Sequence, residues 1–236
     1  MLKFLKNGAK IPQRIAIIMD GNRRYAQERL HADKHEGHKH GLQKLIDTME
    51  WCLELGMKEV GVYALAINNL KRSKKELDTL FDLIKSSFQR FAKQREFFEK
   101  NGVKVNICGR LEMLPKDVQE PLFDVMEETK DNTNCTLHIY VCYSSTQEFI
   151  DGVYECKEEF KAKGTEYTQD LLDSKMYAPG FEPDILIRTS NENRLSNFFL
   201  FQSKNCQISY CKNYWPDFSL WDMLKIILEY QNKQEE

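Results

Sequence analysis

The sequence predicts an α/β fold: a central six-stranded, mainly parallel sheet flanked by helices. Two patterns predict it. Short aliphatic, partly β-branched runs end in turn residues, and amphipathic stretches with apolar residues three and four apart lie between them. A chain of 236 residues is ample for one core, and no repeat, low-complexity tract or linker divides it. Residues 1–236 are therefore read as a single domain, with 1–12 as a frayed or membrane-peripheral lead-in. There Leu2, Phe4 and Leu5 sit beside Lys3 and Lys6.

The first strand is Arg14-Ile-Ala-Ile-Ile-Met19, broken by Asp20-Gly21-Asn22. Tyr25 to Gly37 is expected to be a basic, histidine-bearing loop. A helix follows to about Leu55, with Leu42, Leu45, Ile46, Met49 and Leu53 on one stripe and Gly56 as its stop. Glu59 to Ala64 is the second strand, and Asn68 to Arg72 the loop at its carboxyl end. Ser73-Lys-Lys-Glu76 is a capping box, and it opens a helix expected to run about seven turns to Asn101-Gly102. Leu77, Leu80, Phe81, Ile84, Phe88, Phe91 and Phe98 keep helical spacing along it. Periodicity by itself makes that face plain core; the functional alternative is the wall of an elongated apolar cavity.

Val103 to Cys108 is the third strand, followed by a helix from near Pro115. Thr136 to Cys142 is the fourth, followed by a charged amphipathic helix from about Thr146 to Lys163. Thr168 caps a short helix expected to reach Tyr177, and Pro179, Gly180 and Pro183 punctuate the approach to the fifth strand, Asp184 to Arg188. Gln207 to Cys211 is the sixth. Ser219 caps a last helix whose Leu220, Met223, Leu224, Ile227 and Leu228 form an apolar stripe.

Composition excludes several classes. A formal net charge of -2 gives no general attraction for nucleic acid. Seven cysteines without a C-x-x-C pair fit reduced thiols in a cytosolic setting. The start is too short and too charged for a secretory signal, and no stretch approaches the roughly 18 apolar residues of a membrane span. No Walker A loop, G-x-G-x-x-G or nucleophile elbow is present.

Ligands of open α/β sheets bind beyond the carboxyl ends of the strands, so residues after the first, second and fifth strands can converge. Asp20 suits a hard cation, Gly21 close backbone approach, and Arg23 and Arg24 phosphate oxygens. The plainer alternative makes Asp20 an N-cap of the next helix and leaves the arginines solvated. Asn69 and Arg72 follow the second strand, and Arg188 and Arg194 flank a hydroxyl-rich turn after the fifth, suited to a second anion. Two anion sites, a carboxylate and a long apolar helix together point to a phosphorylated lipid. His31, His35, His38 and His40 lack a zinc spacing, and His38 is read instead as a donor to a diphosphate.

These residues resemble the cis-prenyltransferases, the undecaprenyl diphosphate synthase family. The matching stretches are Ile17-Ile-Met-Asp-Gly-Asn-Arg-Arg-Tyr-Ala26, Glu36-Gly-His38, Asn69-x-x-Arg72, Asp184-x-Leu-Ile-Arg-Thr-Ser190, Arg194-Leu-Ser-Asn-Phe198 and Trp215-Pro-Asp-Phe218. The resemblance runs from about Pro12 to Tyr230 and looks closer to the eukaryotic dehydrodolichyl catalytic subunit. It implies sequential cis-condensation of isopentenyl diphosphate onto an allylic diphosphate such as farnesyl diphosphate, giving a long polyprenyl diphosphate for dolichol and glycosylation. By resemblance, Asp20 is catalytic and binds Mg²⁺. Gly21, Asn22, Arg23, Arg24, Tyr25, Lys34, His38 and Arg72 hold the allylic diphosphate, with Lys34 standing where the family usually has arginine. Arg188, Arg194 and Ser196 hold isopentenyl diphosphate. Asn69 matches a position implicated in proton removal, although an amide is a poor base. The Phe-rich helix becomes a product-tunnel wall.

The sequence departs from the family at Ala66 and Asn68, where serine and glutamate are usual, and at Gln207, where homodimeric bacterial members have a metal-binding glutamate. The chain also ends at Glu236 without the C-terminal Arg-x-Gly of single-subunit members. The resemblance therefore implies a heteromer whose Arg-x-Gly comes from a partner of Nogo-B receptor type, or otherwise a homodimer. It places the protein peripherally on the cytoplasmic face of the endoplasmic reticulum, or in the cytoplasm. A non-catalytic subunit that stabilises another prenyltransferase is the competing class, and an Asp20-dependent phosphohydrolase the third.

Overall fold

The computed structural model describes residues 10–71, 73–92 and 94–234. The lead-in at 1–9 and the expected diphosphate ligand Arg72 lie outside the described residues. Strands β1 (Arg14–Ile18), β2 (Glu59–Tyr63), β3 (Val103–Cys108), β4 (Cys135–Tyr140), β5 (Ile185–Arg188) and β6 (Gln207–Tyr210) form one sheet in the order β3-β4-β2-β1-β5-β6. Every neighbouring pair is parallel. Helices fill the crossovers: α1 (Asn22–Glu28), α2 (Lys34–Leu55), α3 (Lys74–Ala92), α4 (Arg95–Asn101), α5 (Lys116–Glu128), α6 (Ser145–Lys163), α7 (Gln169–Ser174) and α8 (Leu220–Gln234).

Side chains alternate across the pleat, so the inner strands feed two cores. Ile15, Ile17, Val60, Val62, Leu137 and Ile139 join Leu45, Ile46 and Met49 of α2 and Phe88 and Phe91 of α3. Ala16, Ile18, Tyr140 and Leu186 face the other way, onto Tyr143, Phe181, Phe198 and Phe199. Small residues on that second face make room for the rings: a Cβ on Gly61 would lie 2.7 Å from Phe181 Cε1. Gly61→Ala is expected to lower stability by about 1–3 kcal/mol through overpacking, read as a shift in urea midpoint. No shift would place slack beneath Phe181.

Three expectations need correction. The region 25–37 is loop only from Arg29 to Asp33: Tyr25 lies in α1 and Lys34 opens α2, whose N-cap Asp33 accepts from His35 N at 2.9 Å. The expected seven-turn helix is two, α3 and α4, with a turn at Gln94, whose N–H bonds Phe91 O at 2.9 Å. Phe91 and Phe98 still meet across the break, ring centroids 4.4 Å apart, because the apolar face continues through it. The Thr168-capped helix ends at Ser174 rather than Tyr177, whose N–H turns to the buried carboxylate of Glu148. Among the described residues, no helix is long and apolar enough to cross a membrane.

Candidate active site

Parallel register brings the candidate residues together. Ile18 lies opposite Tyr63 on one side and Arg188 on the other, so β1, β2 and β5 end abreast and Asp20 follows immediately. Asp20 is fixed by its backbone: its carbonyl accepts from Thr189 Oγ1 at 2.7 Å and from Trp215 N at 2.9 Å. Its side chain does not cap α1. Gly21 is the N-cap, at φ 104°, and makes no side-chain cap bond. A Cβ there would sit 2.1 Å from Ser190 Oγ, so the turn admits only glycine.

The Asp20 carboxylate instead meets two guanidiniums. Arg188 Nη2 donates to Oδ2 at 2.9 Å, and Arg24 Nη2 reaches Oδ1 at 3.4 Å. Arg188 is 3% exposed, and its Nη1 also donates to the Arg194 carbonyl and to Ser196 Oγ, the latter at 2.7 Å. Its Nε is a buried donor without an acceptor. Arg24 bridges to Glu192 at 3.3 Å and lies over the Tyr214 ring. A buried unpaired donor is costly, so Arg188 is held here with one of its hydrogen bonds unmade.

Asn22 begins α1 and packs under the glycine edge of α2. A Cβ on Gly41 would lie 2.0 Å from Asn22 Oδ1, and one on Gly37 1.9 Å from its carbonyl. Asn22 Nδ2 donates to Met19 O at 3.3 Å, whereas Oδ1 is buried without a donor. Arg188 thus keeps one unbonded buried donor, and Asn22, two residues after Asp20, keeps one unbonded buried acceptor facing the Gly41 edge of α2.

Asn22 and His38 also line an apolar cavity of about 200 Å³. Its other walls include Leu45 of α2 and Leu80, Ile84, Phe88 and Phe91 of α3. Burial, with His35 and Lys34 nearby, pushes the His38 imidazole down to about 4. Above pH 6.5 neither folded nor unfolded chain holds that proton; between 6.5 and about 4 only the unfolded chain takes it. Stability therefore falls as pH falls through that window and levels off below it. His38→Gln is expected to flatten the fall of the denaturation midpoint between pH 7 and 4, and an unchanged slope would contradict a neutral His38.

The other candidates are placed less tightly. Arg23 is exposed, Lys34 is half-buried at the start of α2, and the half-buried Tyr25 ring lies 5.6 Å from that of His40. Asn69 sits half-buried in a 3-10 turn, Ile67–Lys71, just past β2, with its N–H on Ala66 O. Arg194 is exposed, and its guanidinium pairs with Glu192 while only its carbonyl meets Arg188. Gln207 pairs in register with Ile185, three residues toward the amino end from the Arg188–Tyr210 pair. That is about 10 Å down the strand, and its amide donates to Ser209 Oγ and Ile226 O, so it does not reach Asp20 within this chain. Sequence reasoning missed Trp215, which holds the Asp20 carbonyl and, through Nε1, Gly41 O at 2.8 Å. It also missed Tyr63, which reaches Ser196 O at 3.4 Å. A lone tyrosine at a strand end carries no signal for such a contact; the Trp215-Pro-Asp-Phe218 stretch did, without a role attached.

Comparison with known proteins places the chain in a family. Residues 18–236 match the family model Prenyltransf, described as "Putative undecaprenyl diphosphate synthase". A dehydrodolichyl diphosphate synthase complex subunit of Homo sapiens is 39% identical over 94% of this chain and 67% of its own. The geranylgeranyl-diphosphate-specific tritrans,polycis-undecaprenyl-diphosphate synthase of Archaeoglobus fulgidus is 36% identical over 99% and 94%. Lavandulyl diphosphate synthase of Lavandula x intermedia, solved with dimethylallyl diphosphate, shares the fold at a TM-score of 0.85 and 23% identity, over 94% of this chain and 95% of that one. With the sheet, the strand-end cluster and the match along nearly the whole sequence in agreement, the chain belongs to the undecaprenyl diphosphate synthase family of cis-prenyltransferases.

Proposed function

We propose that the protein is a catalytic cis-prenyltransferase subunit that condenses isopentenyl diphosphate repeatedly onto an allylic diphosphate of farnesyl type. The observation that carries this reading is the Asp20–Arg188 pair at the strand ends, with Met19 and Asn22, on either side of Asp20 in sequence, lining an apolar cavity. An anion suits the polar end and a hydrocarbon the other.

Asp20 is one carboxylate on a strand end, and among the described residues no three metal-ligating side chains gather. That fits Mg²⁺, which is commonly held by one or two carboxylates together with substrate phosphate oxygens. Asp20, whose contact to Arg24 is long at 3.4 Å, is the carboxylate that would hold such an ion. When bound, Mg²⁺ supplies neutralisation of the diphosphate as it leaves. The chain's own residues do the rest. The α1 start with Gly21, Asn22, Arg23 and Arg24, together with Tyr25, Lys34, His38 and Arg72, binds the allylic diphosphate, and Arg188, Arg194 and Ser196 bind isopentenyl diphosphate. The allylic carbon–oxygen bond breaks with release of diphosphate, a carbon–carbon bond forms to the isopentenyl group, and that group gives up a proton to the released diphosphate. Asn69 orients the acceptor of that proton, since an amide is a weak base. Phe88 and Phe91 wall the cavity that takes the growing chain and keep water from the cation-like allyl group.

Relatives named as complex subunits, from Homo sapiens and Schizosaccharomyces pombe, support a heteromer; the partner proposed for it is an Arg-x-Gly-bearing subunit of Nogo-B receptor type, and its proposed place is the cytoplasmic face of the endoplasmic reticulum. Chromatography of products from radiolabelled isopentenyl diphosphate tests the proposal. Dehydrodolichyl-length products that rise about ten-fold or more on co-expression with such a partner are expected. Equal yield without a partner would remove the heteromer, and release of orthophosphate instead of diphosphate would replace the transferase with a phosphohydrolase.

A further inference from the structure

The turn after β5 carries the groups assigned to isopentenyl diphosphate, yet residues outside those groups hold its shape. Ser196, Asn197 and Phe199 have φ of 50°, 62° and 50°. These left-handed values suit glycine, and asparagine best among the rest. A run of such residues without glycine persists where its surroundings over-determine it.

Asn197 supplies much of that determination. Its Oδ1 accepts from Thr146 N at 3.1 Å and from Thr146 Oγ1 at 3.0 Å, and its Nδ2 donates to Ser144 Oγ at 2.9 Å. Its carbonyl accepts from Ser145 N at 2.8 Å. The first N–H groups of a helix have no partner within it, so Asn197 completes α6 from a distant stretch of chain. Further along, Leu200 N donates to Ser145 Oγ at 3.0 Å, and Gln202 Nε2 to the buried Glu148 carboxylate at 2.7 Å. On the other flank Arg188 grips the Arg194 carbonyl and Ser196 Oγ, and Tyr63 reaches Ser196 O. The turn is thus suspended between the start of α6 and the Arg188 guanidinium.

Resting on the proposed condensation, we infer that Asn197 is a positioning residue of the isopentenyl diphosphate half-site, locking the Arg194–Ser196 turn onto α6 so that Arg188 and Ser196 face the diphosphate. It acts through its neighbours and not by touching substrate. Because α2 and the cavity take no part in this lock, and α1 reaches the turn only through the Arg24–Glu192 pair, its loss acts chiefly on one substrate.

Steady-state kinetics of the chain, assembled with its partner where one is required, test it. Asn197→Ala is expected to raise KM for isopentenyl diphosphate about ten-fold, with KM for the allylic diphosphate within about two-fold of wild type. Asn197→Asp, which keeps the acceptor for Thr146, is expected to recover most of that loss. A lower melting temperature with both KM values unchanged, or both KM values raised together, would overturn the assignment. If Asn197→Ala does not fold, Thr146→Val removes one of the four contacts from the helix side. It is expected to raise the same KM by a smaller factor, and no change overturns the assignment equally. The wild type is assayed alongside: its failure to incorporate label strikes the transferase proposal, whereas an active wild type matched by Asn197→Ala strikes only this inference.

Discussion

Asp20→Ala is expected to lower condensation by about 10³-fold or more. Asp20 is the carboxylate at the end of β1, held in place by Thr189 and Trp215 on its carbonyl and aimed by Arg188. Glu192, the neighbouring acid, is already engaged by Arg24 and Arg194 and does not substitute. Alanine would also leave the Arg188 guanidinium buried without its counter-charge, which costs about 3–5 kcal/mol in comparable pairs. Asp20→Asn keeps an acceptor for Arg188 but not the charge, so it separates folding from chemistry: near-native melting with activity still down by about two orders of magnitude or more is expected. Incorporation of labelled isopentenyl diphosphate beside a thermal melt reads both. An unchanged product yield from an assembled complex carrying Asp20→Ala would mark this chain as a non-catalytic subunit.

Arg188→Ala is expected to weaken kcat/KM by about 10²–10³-fold, mainly through isopentenyl diphosphate, and to lower the melting temperature as well. One guanidinium, 3% exposed, serves the carboxylate, the Arg194 carbonyl and Ser196 Oγ together. Arg188→Lys is not expected to rescue it, because an ammonium is a point charge and cannot span acceptors arranged for a planar fork. Recovery of more than about a tenth of activity by lysine would show that charge, not geometry, is what the site needs.

The sheet, the strand ends and the residues gathered there were legible because aliphatic runs and the turn residues after them are strong local signals. Asp20 and Arg188 lie 168 positions apart in sequence, but parallel strands bring their ends together whatever lies between. The α1 helix was not legible: its seven residues bury only Ala26, so no apolar stripe marks it. The break between α3 and α4 was hidden for the opposite reason, since the phenylalanine spacing runs through it and Phe91 stacks near Phe98 either way. The left-handed turn at Ser196, Asn197 and Phe199 contains no glycine to announce it and is held by tertiary bonds to α6 and to Arg188. Side-chain direction was equally hidden at Arg194, which sends its guanidinium to Glu192. Gln207, which stands where bacterial homodimeric members have a metal-binding glutamate, is carried by register about 10 Å from the strand ends.

A crystal structure with isopentenyl diphosphate and a non-reacting thiodiphosphate analogue of farnesyl diphosphate tests the central claim most directly. The account predicts one diphosphate at Gly21–Arg24 beside Asp20, the second on Arg188 and Ser196, and the farnesyl chain running past His38 toward Phe88 and Phe91. Diphosphates bound on separate surfaces, or a farnesyl chain outside the cavity between α2 and α3, would contradict it.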